Sequence, residues 1–345
     1  MKRLLIIIDG MDDEPIPELG NMAPASYASM PSLSFMRSHG EVNSQQTIPD
    51  GYAASTEIAL MTILGFTVGS DFDSRSWFEA LGGGLEVTDS DLCLRCNLIT
   101  HCNSIIESHC GHYPDTDESH TIIKKLNEHF GEDDFTFHSF GNFRNLLIVR
   151  NCWAKISASP PHRLLDQSVD RLLIRANDLT LEERLNRCIT ESRTILRKHI
   201  ANGIAIWAPG RAISFPNNIK GSVVAGVNVV KGIGRSVGMS VIDVPGATGD
   251  EFTDYSAKLN ATLQALKKDD FVLLHIEATD EASHERAPFK KVRILETIDQ
   301  LVLSPLLTKR TGVLQITVQG DHATSSLSGK HLSSPVTVIN YTKNE

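Results

Sequence analysis

Acidic residues and histidines follow three of the short apolar runs of this chain. Carboxylates and neutral imidazoles are side chains that bind zinc, manganese and other divalent ions. In an open parallel sheet, groups at the carboxyl ends of strands lie along one edge, so residues that follow different runs can converge on one site. The residues that we expect at this edge are Asp9, Asp280, His284, Asp321, His322 and His331.

The spacing within the second of these segments supports metal binding. Asp280 and His284 are four residues apart, which places both side chains on one face of a helical turn. The structural alternative is that a strand-end Asp caps a helix and that each His packs in the core. An acidic residue follows each of three apolar runs, and this repetition favours a shared metal site.

The elements that must position these residues are apolar runs rich in Val, Ile and Leu. Such runs, without polar alternation, are typical of strands covered on both faces, and they predict an α/β fold with a mostly parallel sheet sandwiched by helices. Thr253–Lys267 and Val292–Leu307 show helical periodicity between the runs. The predicted strands are Leu4–Ile8, Gly203–Trp207, Ser222–Ala225, Ser240–Val244, Phe271–Ile276, Leu314–Val318 and Val336–Ile339.

The middle of the chain differs from its two ends. It is polar, rich in His and Cys, and mixes short strands with helical segments at Ser119–Phe130 and Leu179–His199. We therefore predict a smaller α+β domain, residues 88–201, inserted into a core domain formed by residues 1–87 and 202–345. The length of 345 residues agrees with two domains.

Composition narrows the classes of function. The 33 basic and 42 acidic residues give a formal charge of −9, which argues against a nucleic-acid partner, because that partner needs clustered Lys and Arg. Small phosphorylated ligands need only a few cations or metal ions. The first apolar run, Leu4–Ile8, is too short for a signal peptide or a membrane span. The six cysteines lack the density of a disulfide framework and predict reduced thiols in a cytoplasmic protein.

Together these segments resemble a known family. They look like the two-metal signature of the alkaline phosphatase superfamily and, more closely, like the archaeal-type cofactor-independent (2,3-bisphosphoglycerate-independent) phosphoglycerate mutases. The resemblance covers nearly the whole chain, more thinly in the middle, and it implies an alkaline-phosphatase-like fold. The stretches that carry it are Asp9-Gly10, Pro31–Leu33, Ile63–Phe66, Phe78–Gly82, Arg95–Thr100, Pro161-His162, Lys231–Ile233, Val244–Gly249, Ala278–His284, and Gly320–His322 with His331.

The resemblance implies two divalent ions, manganese or zinc with magnesium or cobalt as alternatives, and no 2,3-bisphosphoglycerate cofactor. Two adjacent ions can clamp the attacking and leaving oxygens of a phosphoryl transfer and promote deprotonation of a bound hydroxyl. One ion would be held by Asp280, His284 and His331. The other would be held by Asp9, Asp321, His322 and the hydroxyl of the nucleophile.

The nucleophile segment departs from the family pattern. Family members carry Gly-Ser-Asp or Gly-Ser-Glu shortly before Leu-Gly-Tyr, and an ungapped count back from Leu64-Gly65-Phe66 places Ser55-Thr56-Glu57 over that triplet. We therefore favour Thr56 as nucleophile and metal ligand, whereas a one-residue shift would select Ser55. Either residue could instead cap the apolar helix Ile58–Leu64. The two roles are compatible, because free amides at a helix N-terminus stabilise a phosphoryl group.

Basic residues of the middle domain would bind the acid part of the substrate. Arg95, Arg144 and His162 match positions where the family has basic residues facing the cleft, and a bidentate Arg suits a carboxylate or a phosphate. Strand alternation places Arg95 and Asn97 on one polar face. A solvated surface position is the alternative for Arg95.

Further signals lie outside these groups. Lys231 resembles the family lysine that neutralises the transferred phosphoryl group, with a surface lysine beside a glycine turn as the alternative, and Arg211 is a second, weaker candidate. Cys93-x-x-Cys96 with nearby histidines could form a zinc site, but an odd separation on one strand points the two thiols to opposite faces. Gly82-Gly83-Gly84 lacks the Gly-x-Gly-x-x-Gly spacing of a dinucleotide site.

The predicted function is interconversion of 3-phosphoglycerate and 2-phosphoglycerate through a phosphoenzyme, a step of glycolysis and gluconeogenesis. In the family mechanism Thr56 (or Ser55) takes the phosphoryl group, the glycerate turns in a closed cleft, and the group returns to the other hydroxyl. Two alternatives stay open. The protein could be a metal-dependent phosphomonoester hydrolase, because imperfect closure admits water. It could also be a catalytically degenerate phosphate-ligand-binding protein, because segment 55–57 is altered. In each case the partner is a small phosphorylated acid, not a nucleic acid or a membrane.

Overall fold

The computed structural model describes residues 1–69, 72–216, 218–309 and 312–344. The chain divides into two compact units, the first formed by Met1–Ser70 and Phe215–Glu345 and the second by Asp71–Ser214. The domain limits of 88 and 201 stay a prediction, and the second compact unit extends beyond them at both ends. Among the residues that the structure describes, every helix is too short or too polar to span a lipid bilayer.

The first unit contains the segments with the acidic residues and histidines; elements are numbered in chain order. Its strands are β1 (Lys2–Ile8), β2 (Glu41–Gln45), β10 (Ser222–Val224), β11 (Ser240–Ile242), β12 (Phe271–Ile276), β13 (Leu314–Gln319), β14 (Ala323–Thr324), β15 (His331–Leu332) and β16 (Val336–Lys343). Its α-helices are α1 (Pro24–Tyr27), α2 (Pro31–His39), α3 (Thr56–Ile63), α7 (Asn228–Ser236), α8 (Tyr255–Lys268), α9 (Ala278–His284), α10 (Pro288–Ile298) and α11 (Ser304–Thr308), the last two joined by a π-helical turn.

A seven-stranded sheet forms the centre of this unit, in the order β11-β10-β12-β1-β13-β16-β2. In this order, the neighbouring pairs from β11 through β10, β12 and β1 to β13 are parallel. The pairs β13–β16 and β16–β2 are antiparallel. Successive side chains of a strand point to opposite faces, so alternate residues share one face. Leu4, Ile6 and Ile8 of β1 share a face and pack in an apolar core with residues of α2, α8 and α10. Helix α7 covers the other face, where Gly234 approaches Val223. The predicted mostly parallel sheet with helices on both faces is confirmed.

The second unit is built on an antiparallel sheet. Its strands are β3 (Leu92–Cys102), β4 (Ile105–Ser108), β5 (Phe135–His138), β6 (Arg144–Val149), β7 (Ile156–Ser157), β8 (Arg175–Ala176) and β9 (Gly203–Gly210), and its helices are α4 (Arg75–Gly82), α5 (Thr116–Phe130) and α6 (Leu179–Ile195). Strand β3 pairs with β4, β6 and β9, and β6 pairs with β5. Leu94, Cys96 and Leu98 of β3 belong to one apolar core with residues of α5 and α6.

The predicted strand Gly203–Trp207 lies in a different sheet from the one expected. It forms the first part of β9, which pairs antiparallel with β3, so that Ile204 is opposite Leu98. Ile204 and Ile206 are buried, as their sequence implies. The expected parallel sheet was wrong for this strand because an apolar run predicts burial and does not identify the partner strand. The other predicted strands overlap β1, β10, β11, β12, β13 and β16 of the first unit.

Candidate metal centre

The parallel pairing of β12, β1 and β13 brings their carboxyl ends together. Ile8 of β1 is opposite Ile276 of β12, and the Asp9 amide donates to the Ile276 carbonyl at 2.9 Å. On the other side of β1, the Gly10 amide donates to Asp321 Oδ1 at 3.3 Å. The chain segments that follow all three strands therefore meet at one edge of the sheet.

Asp280, His284 and His331 form a first group at this edge. His284 Nε2 lies 3.0 Å from Asp280 Oδ2, His331 Nε2 lies 3.4 Å from Asp280 Oδ1, and the two Nε2 atoms are 3.0 Å apart. The Nδ1–H of His284 donates to the Gly329 carbonyl at 2.8 Å, and that of His331 donates to the Ala54 carbonyl at 2.9 Å. These bonds orient both rings so that Nε2 is the atom each presents to Asp280, as in metal sites with oriented histidines.

The electrostatics of the first group favour a positive charge. Burial by itself would raise the pKa of Asp280, but hydrogen bonds and charge from His284 and His331 hold that pKa well below its usual value. Burial would likewise lower the pKa of His284, but the Asp280 carboxylate overrides it and raises the pKa to about 9. The Asp280 carboxylate would attract a divalent cation in the same way, and the cation would compete with protons for the imidazole nitrogens.

Asp9, Asp321 and His322 form a second group, fully buried. His322 Nε2 lies 3.7 Å from Asp9 Oδ1 and 3.5 Å from Asp321 Oδ2. Thr324 connects this group to the first, because its hydroxyl donates to Asp280 Oδ1 at 2.6 Å and lies 3.1 Å from His322 Nδ1. With the hydroxyl proton given to Asp280, the Nδ1–H of His322 donates to Thr324 and Nε2 carries the lone pair.

The donor atoms of the second group lack hydrogen-bond partners. Both carboxylate oxygens of Asp9, Oδ2 of Asp321 and Nε2 of His322 are buried and unpaired. Burial, followed by the charges of Asp321 and Asp280, raises the pKa of Asp9 well above its usual value. Buried polar groups without partners are costly, and a divalent cation among these oxygens and nitrogens would satisfy them. Ligand atoms of Asp9, Asp321 and His322 lie within 4.8 Å of one another, as do those of Asp280, His322 and His331. With His284 Nε2 3.0 Å from Asp280 Oδ2, the residues of both groups fit a pair of divalent ions.

Two residues at this edge were not singled out from the sequence. His275 lies in β12 opposite Ile7, with Nε2 3.4 Å from Asp9 Oδ2, and burial lowers the pKa of His275 to about 4. Glu277 follows the strand directly, and ligand atoms of Asp9, His275 and Glu277 lie within 4.8 Å of one another. The signal that could have found His275 is its position as a polar residue in an otherwise apolar run.

The candidate nucleophiles lie at the N-terminus of α3. Ser55 is the N-cap residue with extended backbone and makes no capping hydrogen bond through its side chain, and Thr56 is the first helical residue. Thr56 is buried. Because the Ala54 carbonyl accepts from His331, this helix N-terminus is tied to the first group. Free backbone amides at such a position stabilise an anion.

Lys231 and Arg211 both have partners in the structure. Lys231 lies in α7 and donates from Nζ to Asp243 Oδ1 at 2.8 Å. Arg211, in the second unit, donates from Nη2 to the Ala154 carbonyl at 2.7 Å and from Nη1 to the Cys152 carbonyl. The guanidinium of Arg211 therefore holds the backbone of segment 152–154.

Strand β3 of the second unit presents Arg95 and Asn97 on the face opposite its core residues. Arg95 Nε donates to the two oxygens of Glu79 at 2.9 and 3.1 Å, and Nη2 makes a further bond to Glu79. The guanidinium of Arg95 lies 5.1 Å from the ring of Trp207. Trp207 Nε1 donates to Asn97 Oδ1 at 3.2 Å, and the ring of His162 packs edge-on against Trp207 at 5.7 Å.

Arg144 belongs to the same surroundings, because its charge influences both Glu79 and Arg95. Burial would raise the pKa of Glu79, but Arg95, together with the charges of Arg75 and Arg144, holds that pKa below its usual value. Sequence reasoning missed Glu79 and Trp207. Their roles depend on contacts with residues far along the chain, which no local pattern reveals.

The alternation expected for the cysteines is also present. Cys96 belongs to the apolar core, whereas Cys93 is an odd number of residues away and points to the other face of β3. Burial raises the pKa of the Cys93 thiol to about 12. Within the described part of the chain, none of the residue groups that could hold a metal contains a cysteine.

Comparisons with known proteins give one result. The family model described as 2,3-bisphosphoglycerate-independent phosphoglycerate mutase matches residues 38–202. A protein of that name from Methanosarcina mazei is 30% identical, and the alignment covers 97% of this chain and 89% of that protein. Another from Methanothermobacter thermautotrophicus is 31% identical over 98% of this chain and 88% of that protein.

Solved structures agree. A Pyrococcus horikoshii protein has a TM-score of 0.79 with 26% identity, covering 99% of this chain and 87% of that chain. The cofactor-independent phosphoglycerate mutase from Thermoplasma acidophilum has a TM-score of 0.58 with 25% identity, covering 99% of this chain and 90% of that chain. The similarity therefore extends over both compact units.

Proposed function

The chain belongs to the family of 2,3-bisphosphoglycerate-independent phosphoglycerate mutases, and we propose that it interconverts 3-phosphoglycerate and 2-phosphoglycerate by two-metal phosphoryl transfer through Thr56. The family resemblance drawn from the sequence motifs is thereby confirmed, as is the assignment to an isomerase family. The observation that carries the mechanism is the pair of carboxylate–imidazole groups, connected by Thr324 and tied through Ala54 to the N-terminus of α3.

Two divalent ions would be held by the residues of the two groups. Asp280, His284 and His331 would hold one, and Asp9, Asp321 and His322 the other, with the Thr56 hydroxyl as a further ligand. Imidazole nitrogen mixed with carboxylate oxygen favours manganese or zinc over magnesium. When bound, such ions neutralise charge on the transferring phosphoryl group and make a hydroxyl easier to deprotonate.

The proposed reaction has two symmetrical halves. Thr56 Oγ1 attacks phosphorus, the bond between phosphorus and the substrate oxygen breaks, and the proton lost by Thr56 is balanced by the proton gained by the departing glycerate oxygen. In the second half the other glycerate hydroxyl attacks the phosphothreonine, and Thr56 recovers its proton. The backbone amides at the start of α3 stabilise the phosphoryl group in both halves.

Residues of the second unit would bind the glycerate. We assign Arg95 and Arg144 to its carboxylate, because guanidinium groups pair well with carboxylates, and Asn97 and His162 to its hydroxyl groups. Glu79 and Trp207 would hold Arg95 in position. Lys231 would neutralise the phosphoryl group, exchanging its bond to the exposed Asp243 for one to the substrate. Arg211 stays a weaker candidate, because its donors are used by backbone carbonyls.

The proposal extends to the compartment and to partners. All six cysteines are free, which agrees with a reducing cytoplasm. The substrate is a small phosphorylated acid, and we propose a role in glycolysis or gluconeogenesis.

The test is incubation of manganese-loaded protein with 3-phosphoglycerate, without 2,3-bisphosphoglycerate, followed by ³¹P NMR. We expect 2-phosphoglycerate to form until the two esters equilibrate. Release of inorganic phosphate in place of 2-phosphoglycerate would show a phosphomonoester hydrolase, the alternative suggested by the altered segment 55–57. Binding of phosphoglycerate without either product would show a degenerate binding protein.

The nucleophile is tested with matched variants of the same helix. Thr56→Ala should abolish turnover and ³²P labelling of the protein, and Ser55→Ala should retain both. Thr62→Ala is the control, because the Thr62 hydroxyl only donates to the Ile58 carbonyl within α3. If Thr56→Ala retained full activity while Ser55→Ala lost it, Ser55 would be the nucleophile.

A further inference from the structure

The two carboxylate oxygens of Asp9 face two different imidazoles. Oδ1 lies 3.7 Å from His322 Nε2 in the second group, whereas Oδ2 lies 3.4 Å from His275 Nε2. Neither oxygen has a hydrogen-bond partner, although the side chain is only 1% exposed. The Oδ2 side of Asp9 is therefore occupied by residues that the proposed phosphoryl-transfer mechanism does not use.

His275 is the most unusual of these residues. Its side chain is 0% exposed, and neither ring nitrogen has a hydrogen-bond partner. An imidazole buried in a strand without a partner for either nitrogen is destabilising. Because the ring places Nε2 against Asp9, a cation between the nitrogen and the carboxylate would satisfy both.

Glu277 supplies a second carboxylate to this position. Ligand atoms of Asp9, His275 and Glu277 lie within 4.8 Å of one another. Glu277 is the residue before α9, and its carboxylate lies beside the backbone of Gly249, where a Cβ would be 3.5 Å from Glu277 Cδ. The loop before α8 therefore lies close to this carboxylate.

We propose that Asp9, His275 and Glu277 form a third divalent-cation site that shares Asp9 with the second group. One imidazole nitrogen with two carboxylates is a donor set for manganese or zinc, whereas magnesium and calcium favour oxygen ligands alone. The third ion would fix the orientation of the Asp9 carboxylate, so that its other oxygen is directed at the second group. It would also offset the repulsion among the buried carboxylates at this edge of the sheet.

A buried lysine provides the rival explanation. Lys258 of α8 is fully buried with no hydrogen-bond partner for Nζ, and its charge acts on Glu277 and His275. Lys258 could supply the positive charge that balances Glu277, with no third ion. This explanation leaves His275 without a partner, because Lys258 Nζ makes no hydrogen bond in the structure and neither ring nitrogen of His275 has a hydrogen-bond partner. The Lys258 ammonium is attached to helix α8. The ligand atoms of Asp9, His275 and Glu277, in contrast, lie close to one another.

The experiment is anomalous diffraction from crystals of the full-length parent protein equilibrated with manganese, measured on both sides of the manganese absorption edge. We expect an anomalous peak enclosed by Asp9, His275 and Glu277, separate from the peaks of the first and second groups. Absence of that peak while the other two groups are occupied would overturn the inference. A peak on the Lys258 side of Glu277, away from Asp9 and His275, would also overturn the inference.

Metal content in solution provides the second measurement. Desalted Glu277→Gln should contain one manganese ion fewer per chain than the parent, and Glu285→Gln is the matched control, because Glu285 is exposed and paired with Lys290. Equal manganese content in Glu277→Gln and parent would contradict the third site. So would a gain of one ion in Lys258→Met over the parent, because it would show that the lysine replaces the ion.

This inference and the proposed function can fail separately. A third peak in a protein that does not interconvert phosphoglycerates would leave the cation site standing and refute the mutase assignment. Full mutase activity in a protein with manganese only at the first and second groups would refute the third cation site and leave the mutase assignment standing.

Discussion

Replacement of Glu79 by Gln should weaken the second unit through loss of a buried counter-charge. Arg95 donates to Glu79 from Nε at 2.9 and 3.1 Å and from Nη2, and both side chains are only 9% exposed. Glu79→Gln keeps the shape but leaves the guanidinium with no balancing carboxylate. Breaking a buried ion pair costs about 3–5 kcal/mol. We expect about 3 kcal/mol, because the amide oxygen of Gln still accepts one bond.

Tryptophan fluorescence is the appropriate assay. Trp77, Trp153 and Trp207 are the only tryptophans of the chain, and all three lie in the second unit, so urea unfolding followed by fluorescence reports on that unit. Glu128→Gln is the control in the same unit, because Glu128 and Lys124 form an exposed pair at 3.9 Å. Exposed pairs four residues apart on a helix contribute about 0.3–0.5 kcal/mol. A loss below about 1 kcal/mol in Glu79→Gln would refute the reasoning from burial.

The pH dependence of the same variant gives a second check. Burial raises the pKa of Glu79, but Arg95 together with Arg75 and Arg144 lowers it by more in total, so the folded-state pKa lies below the usual value of 4.5. A group with a lowered folded-state pKa stabilises the protein above its unfolded pKa, and this stabilisation is lost as pH falls through the folded value. The difference in unfolding free energy between parent and Glu79→Gln should therefore be constant near neutral pH and shrink below about pH 4.5. A difference that grows on acidification would contradict this sign.

Three further predictions concern the metal centre. Asp280→Ala should reduce manganese or zinc affinity, measured by calorimetry, by far more than tenfold, because it removes a proposed direct ligand; unchanged affinity would exclude the first group as a metal site. Thr324→Val should weaken binding about 10–100-fold through loss of its bonds to Asp280 and His322, and normal affinity would make that connection irrelevant. Gly10→Ala should unfold more easily than Gly20→Ala by at least about 1 kcal/mol. Both glycines have φ near +65°, but only at Gly10 would a Cβ meet Thr324 Oγ1, at 2.8 Å, whereas Gly20 has open space; equal thermal shifts would contradict this.

Much of the proposed metal centre could be predicted from the chain because its signals are local. An apolar run followed by an acid predicts a buried strand with a carboxylate at its end, and strand alternation predicts the shared face of Arg95 and Asn97. These patterns depend on periodicity within a few residues. The order of elements then suggested which ends converge, and the observed pairing of β12, β1 and β13 shows that these strand ends lie side by side.

The tertiary structure decided the features that depend on distant partners. Glu79 is a charge on a helix until the fold buries it against Arg95, sixteen residues away. His275 reads as one polar residue in an apolar strand until pairing with β1 places it beside Asp9. The run at Gly203–Trp207 predicts burial equally well in either sheet, and only pairing with β3 assigns it to the second unit. Periodicity along a chain records which side of an element is buried, whereas the identity of the buried partner is set by long-range packing.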